Sequence, residues 1–145
     1  MILKEILCWV RPGDKQGFAE AQESWRAVLT LDGFLGQLGG WCEQDPQLAI
    51  ILGVWRDRGS YDAFMKPQGM HDQIFAACHQ GRYLNRSEIH LHELPAQCLR
   101  QHLRPERNRR TFSWLSPLQG APTRSMKLQS AWSLKVRESP LPSYS

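Results

Sequence analysis

Few side chains in this sequence combine a reactive group with a suggestive position. His71 follows the Pro67-x-Gly69 break, where a helical segment restarts at about Met70. An imidazole there can act as a general base, or as a ligand, for a molecule held in a neighbouring cavity; the plainer alternative is a local hydrogen bond to Asp72 or the backbone. His90-x-His92 puts two imidazoles on one strand face, a spacing able to chelate a metal. Cys8, His71 or Glu93 would have to complete such a set, and solvent or interface positions suit the pair equally well, so no metal is expected. Cys8, Cys42, Cys78 and Cys98 form no C-x-x-C pair and read as small apolar thiols. Trp41, Trp55 and Tyr61 suit either a pocket for a flat aromatic molecule or an ordinary core. The run Arg104-x-x-Arg107-x-Arg109-Arg110 suits either phosphate contacts or a solvated, salt-bridging surface, and nucleic acid is not expected. The sequence has no Gly-rich phosphate loop and no nucleophile elbow, and no cofactor is expected.

The elements that must position these groups are legible from periodicity. Ile2 to Arg11 reads as a strand ended by Pro12-Gly13, apolar on both faces. With Asp14 as a candidate N-cap, Phe18, Ala21, Trp25, Val28 and Leu29 recur at helical spacing until Asp32-Gly33. Phe34 to Cys42 is a strand whose Gly36, Gly39 and Gly40 suggest a bulge or the close approach of another group. It turns at Glu43-Gln44-Asp45-Pro46 into Leu48 to Trp55, apolar throughout and therefore central. Asp57 or Ser60 caps a second helix, interrupted at Pro67 and Gly69, resuming with Ile74, Phe75 and Cys78 inward, and ended by Gly81. Glu88 to Leu94 alternates, with Ile89 and Leu91 opposite His90 and His92.

Strand, helix, strand, strand, helix, strand is the split βαβ order, which predicts an α+β, ferredoxin-like βαββαβ domain over residues 1–94 with both helices on one sheet face. The other face, with apolar residues drawn from Leu3, Leu7, Trp9, Trp41 and Trp55, is then uncovered in a monomer, and a face-to-face homodimer is the expected remedy. Residues 95–145 form a basic extension in which Thr111–Leu115 and Lys127–Arg137 alternate. It is read as a β-hairpin packed on the core or on a partner subunit.

Charge separates the two parts. The chain is +4 overall, but net charge is −3 through Glu93 and +7 beyond it. The basic character thus belongs to the extension. The longest apolar run, Leu48 to Trp55, is far short of a membrane span. The N-terminus lacks the pattern of a signal peptide, and a cytoplasmic protein with no membrane partner is expected.

The stretch from Phe34-Leu35-Gly36-Gln37-Leu38-Gly39-Gly40-Trp41, through Val54-Trp55, Ser60-Tyr61-x-x-Phe64-Met65 and His71-Asp72, to Gly81-x-Tyr83 resembles the YdbC-like bacterial domain of unknown function. Together with the element order, it places the chain near the dimeric α+β barrel superfamily, which includes antibiotic-biosynthesis and haem-degrading monooxygenases. The likeness covers residues 1 to about 94; the tail has no counterpart. It implies a homodimer whose sheets form a barrel, with a cavity between each sheet and its helices. The haem-degrading members use an Asn from the first strand, a Trp in the second helix and a later His. Here the first strand offers Leu7, Cys8 and Trp9, Phe64 stands near the Trp position, and only His71 or His79 fits the third, which argues against haem degradation.

The resulting expectation is a cofactor-independent, monooxygenase-like enzyme acting on a small apolar or aromatic molecule. His71 would be the proton acceptor, and Trp9, Trp41, Trp55, Tyr61 and Phe64 would shape the pocket. A non-catalytic homodimeric ligand-binding or interaction module is the alternative; a packed interior in place of a cavity would favour it. The core strand order also matches an RNA-recognition fold, but Leu48 to Trp55 lacks that fold's Lys/Arg-Gly-aromatic motif.

Overall fold

The computed structural model describes residues 1–108 and 110–142. Four strands and three helices make the core: β1 (Ile2–Val10), α1 (Lys15–Gln22), β2 (Phe34–Cys42), β3 (Leu48–Trp55), α2 (Arg58–Phe64), α3 (Met70–Cys78) and β4 (Leu84–Glu93). The strands pair antiparallel in the order β4-β1-β3-β2, the expected ferredoxin-like arrangement. Every residue of β3 is buried, as its unbroken apolar run requires. β2 is irregular between Phe34 and Gly36, and Gly36 adopts φ 150°, a value that few residues other than glycine tolerate.

Several local features depart from the sequence reading. The first helix is α-helical only to Gln22 and tightens into 3₁₀ turns over Glu23–Thr30. Asp14 does not cap it through its side chain; its carboxylate instead accepts from Arg11 Nε at 2.6 Å. Asp57, not Ser60, caps α2, with Oδ1 accepting from the Ser60 amide at 2.8 Å. The helical piece α3 ends before Gly81, at His79 in the left-handed conformation.

The extension accounts for the second sheet face. It comprises α4 (Leu99–His102), β5 (Leu103–Pro105), β6 (Thr111–Leu115), β7 (Thr123–Leu128) and β8 (Leu134–Lys135). β6 and β7 form the expected hairpin, but its return arm is Thr123–Leu128 and not 127–137. A 3₁₀ turn at Ser130–Trp132 interrupts the alternation there. β7 pairs with β2, so the sheet runs on through β7, β6 and β5 and curls over the face opposite the helices. Leu99, Leu103, Phe112, Trp114, Met126 and Leu141 pack there against Leu3, Leu7, Leu38, Leu48, Ile50, Leu52 and Val54. The apolar face expected to lie open in a monomer is therefore buried by the chain itself: Leu3 is 0% and Leu7 4% exposed. The expected membership of that face is also corrected, because Trp55 belongs to the helix-side cluster and Trp41 packs beside Cys8 and Phe18.

Strand parity sends Lys4 and Glu5 to opposite faces, and both are buried, at 5% and 1% exposure. Glu5 anchors the extension. Its Oε2 accepts from Trp114 Nε1 at 2.7 Å and its Oε1 from Ser116 Oγ at 2.7 Å, with His92 Nε2 3.0 Å away.

Candidate functional site

A cavity of ≈ 260 Å³ lies between the core sheet and its helices. Its size suits a small molecule of one or two rings. The floor is built by the inward parity of the strands: Lys4, Ile6 and Cys8 from β1, Phe34 and Gln37 from β2, Ile51, Gly53 and Trp55 from β3, and Leu84, Ser87 and Ile89 from β4. Gln22, Trp25 and Val28 close it from the first helical segment, Phe64 from α2, His71 and Phe75 from α3, and Gln80 from the turn beyond. Gly53 keeps the middle of the floor open: a Cβ placed there meets no atom within 4 Å.

The walls are aromatic. Phe64 stacks on Trp55 with ring centroids 4.9 Å apart, and Trp25 meets Phe64 edge-on at 6.4 Å. His71 is enclosed by Trp25, Phe64 and Phe75 at 5.4, 5.5 and 6.1 Å. This partial burial lowers its pKa below the ordinary imidazole range, more than the Asp72 contact raises it, with the Lys4 charge also lowering it. Neutral imidazole is therefore the resting form at pH 7. His71 Nδ1 lies 3.2 Å from Asp72 Oδ1. Asp72 is itself held by the Gln68 amide, which donates to Oδ2 at 2.9 Å. With Nδ1–H given to Asp72, Nε2 keeps its lone pair and can accept a proton.

Polar groups elsewhere in the cavity are mostly occupied. Gln80 Oε1 accepts from Gln22 Nε2 at 3.0 Å and from Trp25 Nε1 at 2.6 Å, and Gln37 Nε2 donates to the Trp132 carbonyl at 2.9 Å. Burial pushes the Cys8 thiol up to about 12, so it stays protonated and unreactive near neutrality. Lys4 is the exception. Burial lowers its amine to about 8. Its Nζ has the Met65 thioether at 3.5 Å and stands over the Tyr61 and Phe64 rings at 5.3 and 6.0 Å.

Of the residues expected to form the site, His71, Trp55 and Phe64 come together in the cavity. Three others do not line it. Trp9 shares the parity of Leu3 and Leu7 and faces the opposite side; its indole donates to Asp45 Oδ2 at 3.1 Å, and Arg86 lies 3.8 Å over its ring. Trp41 is on the helix side but beyond the cavity, packed on Phe18 and Trp132 and covered by Lys15. Tyr61 stands behind the wall, 6.0 Å from Trp55. Lys4 and Gly53 were not anticipated. Their signal was available in principle: a lone cation in phase with Ile2, Ile6 and Cys8, and a glycine inside an otherwise bulky central strand.

The pair His90 and His92 lies on the extension side of β4, with His92 engaged by Glu5 and His90 Nε2 3.6 Å from Glu88. Among the described residues, no group of three or more His, Cys, Asp or Glu is placed to hold a metal. Arg104, Arg107 and Arg110 are exposed, while Arg109 of the same run lies outside the described residues. Among the described residues, no helix is long and apolar enough to cross a membrane.

Comparison with known proteins agrees with this architecture. The profile of a domain of unknown function, DUF4937, matches residues 2–92. The uncharacterized protein YdbC of Bacillus subtilis (strain 168) is 34% identical over 95 residues, covering 64% of this chain and 78% of the relative. Among solved structures, a conserved protein from Methanosarcina mazei Go1 superposes with a TM-score of 0.54 at 18% identity, covering 66% of this chain and 94% of that one. An antibiotic biosynthesis monooxygenase superposes with a TM-score of 0.55 at 12% identity, covering 66% and 99%. At such identities the structural likeness speaks for the fold alone. The core described above, from β1 to the end of β4, is therefore the domain these proteins share, and the chain belongs to the DUF4937 family.

Proposed function

We propose that the cavity binds a small aromatic molecule bearing a phenolic hydroxyl and that the protein oxidises it with O₂ and no cofactor, with His71 as proton acceptor. The observation that carries this reading is a neutral imidazole, its Nδ1 turned to Asp72, set among the aromatic walls of a cavity of ≈ 260 Å³. The reaction balances as phenol plus O₂ giving quinone plus water. His71 Nε2 takes the phenolic proton, and the electron-rich ring transfers an electron to O₂. Recombination then forms a C–O bond at the ring carbon para to the oxygen. His71 returns its proton to the peroxide, and loss of water across the C–H and O–OH bonds leaves the quinone. The chain's own contribution is to hold the ring, exclude water and move one proton.

The test presents the purified protein with a panel of phenols and 1-naphthols that carry hydrogen at the para carbon, in air, following O₂ uptake and quinone absorbance. His71→Asn should lower turnover by about 10²–10⁴-fold while leaving ligand binding intact. Gly53→Val, whose Cβ enters open space, should fill the floor and abolish binding, with a thermal melt to confirm that the variant folds. Binding without O₂ uptake would leave a non-catalytic ligand-binding module, and no binding by any member of the panel would end the reading.

A further inference from the structure

Among the described residues, Lys4 is the one cation lining the cavity, and no Asp or Glu lines the cavity with it. Lys4 is only 5% exposed. An ammonium carries three donors, and a buried one is ordinarily met by a carboxylate or by several oxygens. Here the acceptor in reach is a thioether sulfur, Met65 Sδ, with two aromatic faces beyond it. These are weak partners for a desolvated charge. The carboxyl groups nearby are committed elsewhere. Glu5, the next residue, points through the sheet to Trp114, Ser116 and His92. Asp72 is taken by His71 and the Gln68 amide.

The other titratable groups facing this space add no negative charge near pH 7. His71 is neutral, and burial raises both the Cys8 thiol and the Tyr61 hydroxyl. Directly across the ladder from Lys4 stands Gly53, where a Cβ would meet nothing. The structure thus pairs an uncompensated cation with open space, inside an aromatic enclosure.

We propose that the molecule bound here is an aromatic oxyanion, its negative oxygen paired with the Lys4 ammonium and its ring held by Trp25, Trp55 and Phe64. This deepens the reading of the cavity as a ligand site and rests on it. It names the substrate class as a phenol held through an oxyanion, either its own phenolate or a carboxylate on the same ring system.

Three probes of like shape separate the cases: 2-naphthoate, 2-naphthol and the neutral 2-naphthamide, titrated calorimetrically into wild type and Lys4→Met. The methionine is near-isosteric and apolar, and a thermal melt confirms that the variant folds. For a carboxylate ligand, wild type at pH 7 should prefer naphthoate over the amide by at least about tenfold, a buried ion pair's worth of affinity. That preference should fall as the amine deprotonates above about 8 and should vanish in Lys4→Met, with the amide's affinity unchanged. For a phenolate ligand, bound naphthol should show the naphtholate absorption band at pH 7 in wild type and lose it in Lys4→Met. If the amide or un-ionised naphthol binds and neither signature appears, the oxyanion assignment is overturned while the cavity remains a ligand site. If none of the three binds, the assignment falls together with the reading it rests on.

Discussion

Replacing Trp114 by Phe isolates the contact that fastens the extension to the core. Trp114 is fully buried and gives its indole N–H to Glu5 Oε2 at 2.7 Å, while Glu5 is 1% exposed. Phe keeps most of the apolar contact with the Leu99, Leu103 and Met126 cluster and removes the donor. A hydrogen bond to a carboxylate contributes about 1.5–3 kcal/mol, and the void left by the smaller ring adds about 1 kcal/mol. The variant should therefore lose about 2–4 kcal/mol, seen in urea unfolding by far-UV circular dichroism as a lowered midpoint at unchanged slope. For a chain of this size that corresponds to about 5–15 °C in Tm. Glu5→Leu alone should be more harmful than the double variant with Trp114→Phe predicts by addition, since it leaves the indole, Ser116 and His92 facing an apolar side chain. A coupling of about 1 kcal/mol or more is expected from the double-mutant cycle. A loss below about 0.5 kcal/mol for Trp114→Phe, or strict additivity with Glu5→Leu, would show that Glu5 does not anchor the extension.

Two further predictions concern stability. Lys4 has a folded-state value of about 8 against 10.5 unfolded, so the unfolded chain binds more protons between those values and stability rises with pH across that window. The burial penalty, about 3 kcal/mol by this shift, is fully present below about pH 8 and gone above about 10.5. Lys4→Met should thus be the more stable protein at pH 7, and the difference from wild type in urea unfolding should close by pH 10.5; a pH-independent difference would refute it. In β2, a Cβ on Gly40 would collide with the Lys127 carbonyl of β7, so Gly40→Ala should lose about 2 kcal/mol or more. Gly13→Ala, which meets nothing within 4 Å, serves as the control and should stay within about 0.5 kcal/mol.

The core was legible because its signals are local. Phe34–Cys42 and Leu48–Trp55 emerge with the bounds their apolar runs predict, and the break at Pro67 and Gly69 falls between α2 and α3. The extension was less legible because its pattern misleads. Leu128, Trp132, Leu134 and Val136 alternate like a strand, yet a turn at Ser130–Trp132 tucks Trp132 over Gly39, against Phe18 and Trp41. That close approach depends on a glycine nearly a hundred residues away, which no local window contains. Of the cavity's lining residues, His71, Trp55 and Phe64 are readable from type and place. Trp9 was not, because aromatic character says nothing about which face it serves; parity with Leu3 and Leu7 does. Lys4 escaped because a cation near an N-terminus is ordinarily solvated, and only burial of both faces of β1 makes it unusual.

The buried second face also bears on association. A four-stranded sheet with helices on one side has to cover the other, and a partner sheet is one solution. Here β5, β6 and β7 supply that cover within the chain, over Leu38, Ile50, Leu52 and Val54. A face-to-face dimer would have to expel them, breaking the Glu5 contacts and exposing Phe112, Trp114 and Met126, each 0% accessible. The intact protein should accordingly not dimerise through this face, and light scattering at micromolar concentration should give a monomer. Removing residues 95–145 uncovers the patch and should cause self-association or insolubility. The remaining large exposed apolar side chains of the described core, Phe75, Ile89 and Leu91, lie on α3 and edge strand β4, and Phe75 and Ile89 also line the cavity. If the intact protein proves dimeric, Ile89→Lys should dissociate it. A dimer that survives this change and retains the protected Trp114 environment would be using neither surface, and the argument from covered and uncovered apolar area would fail.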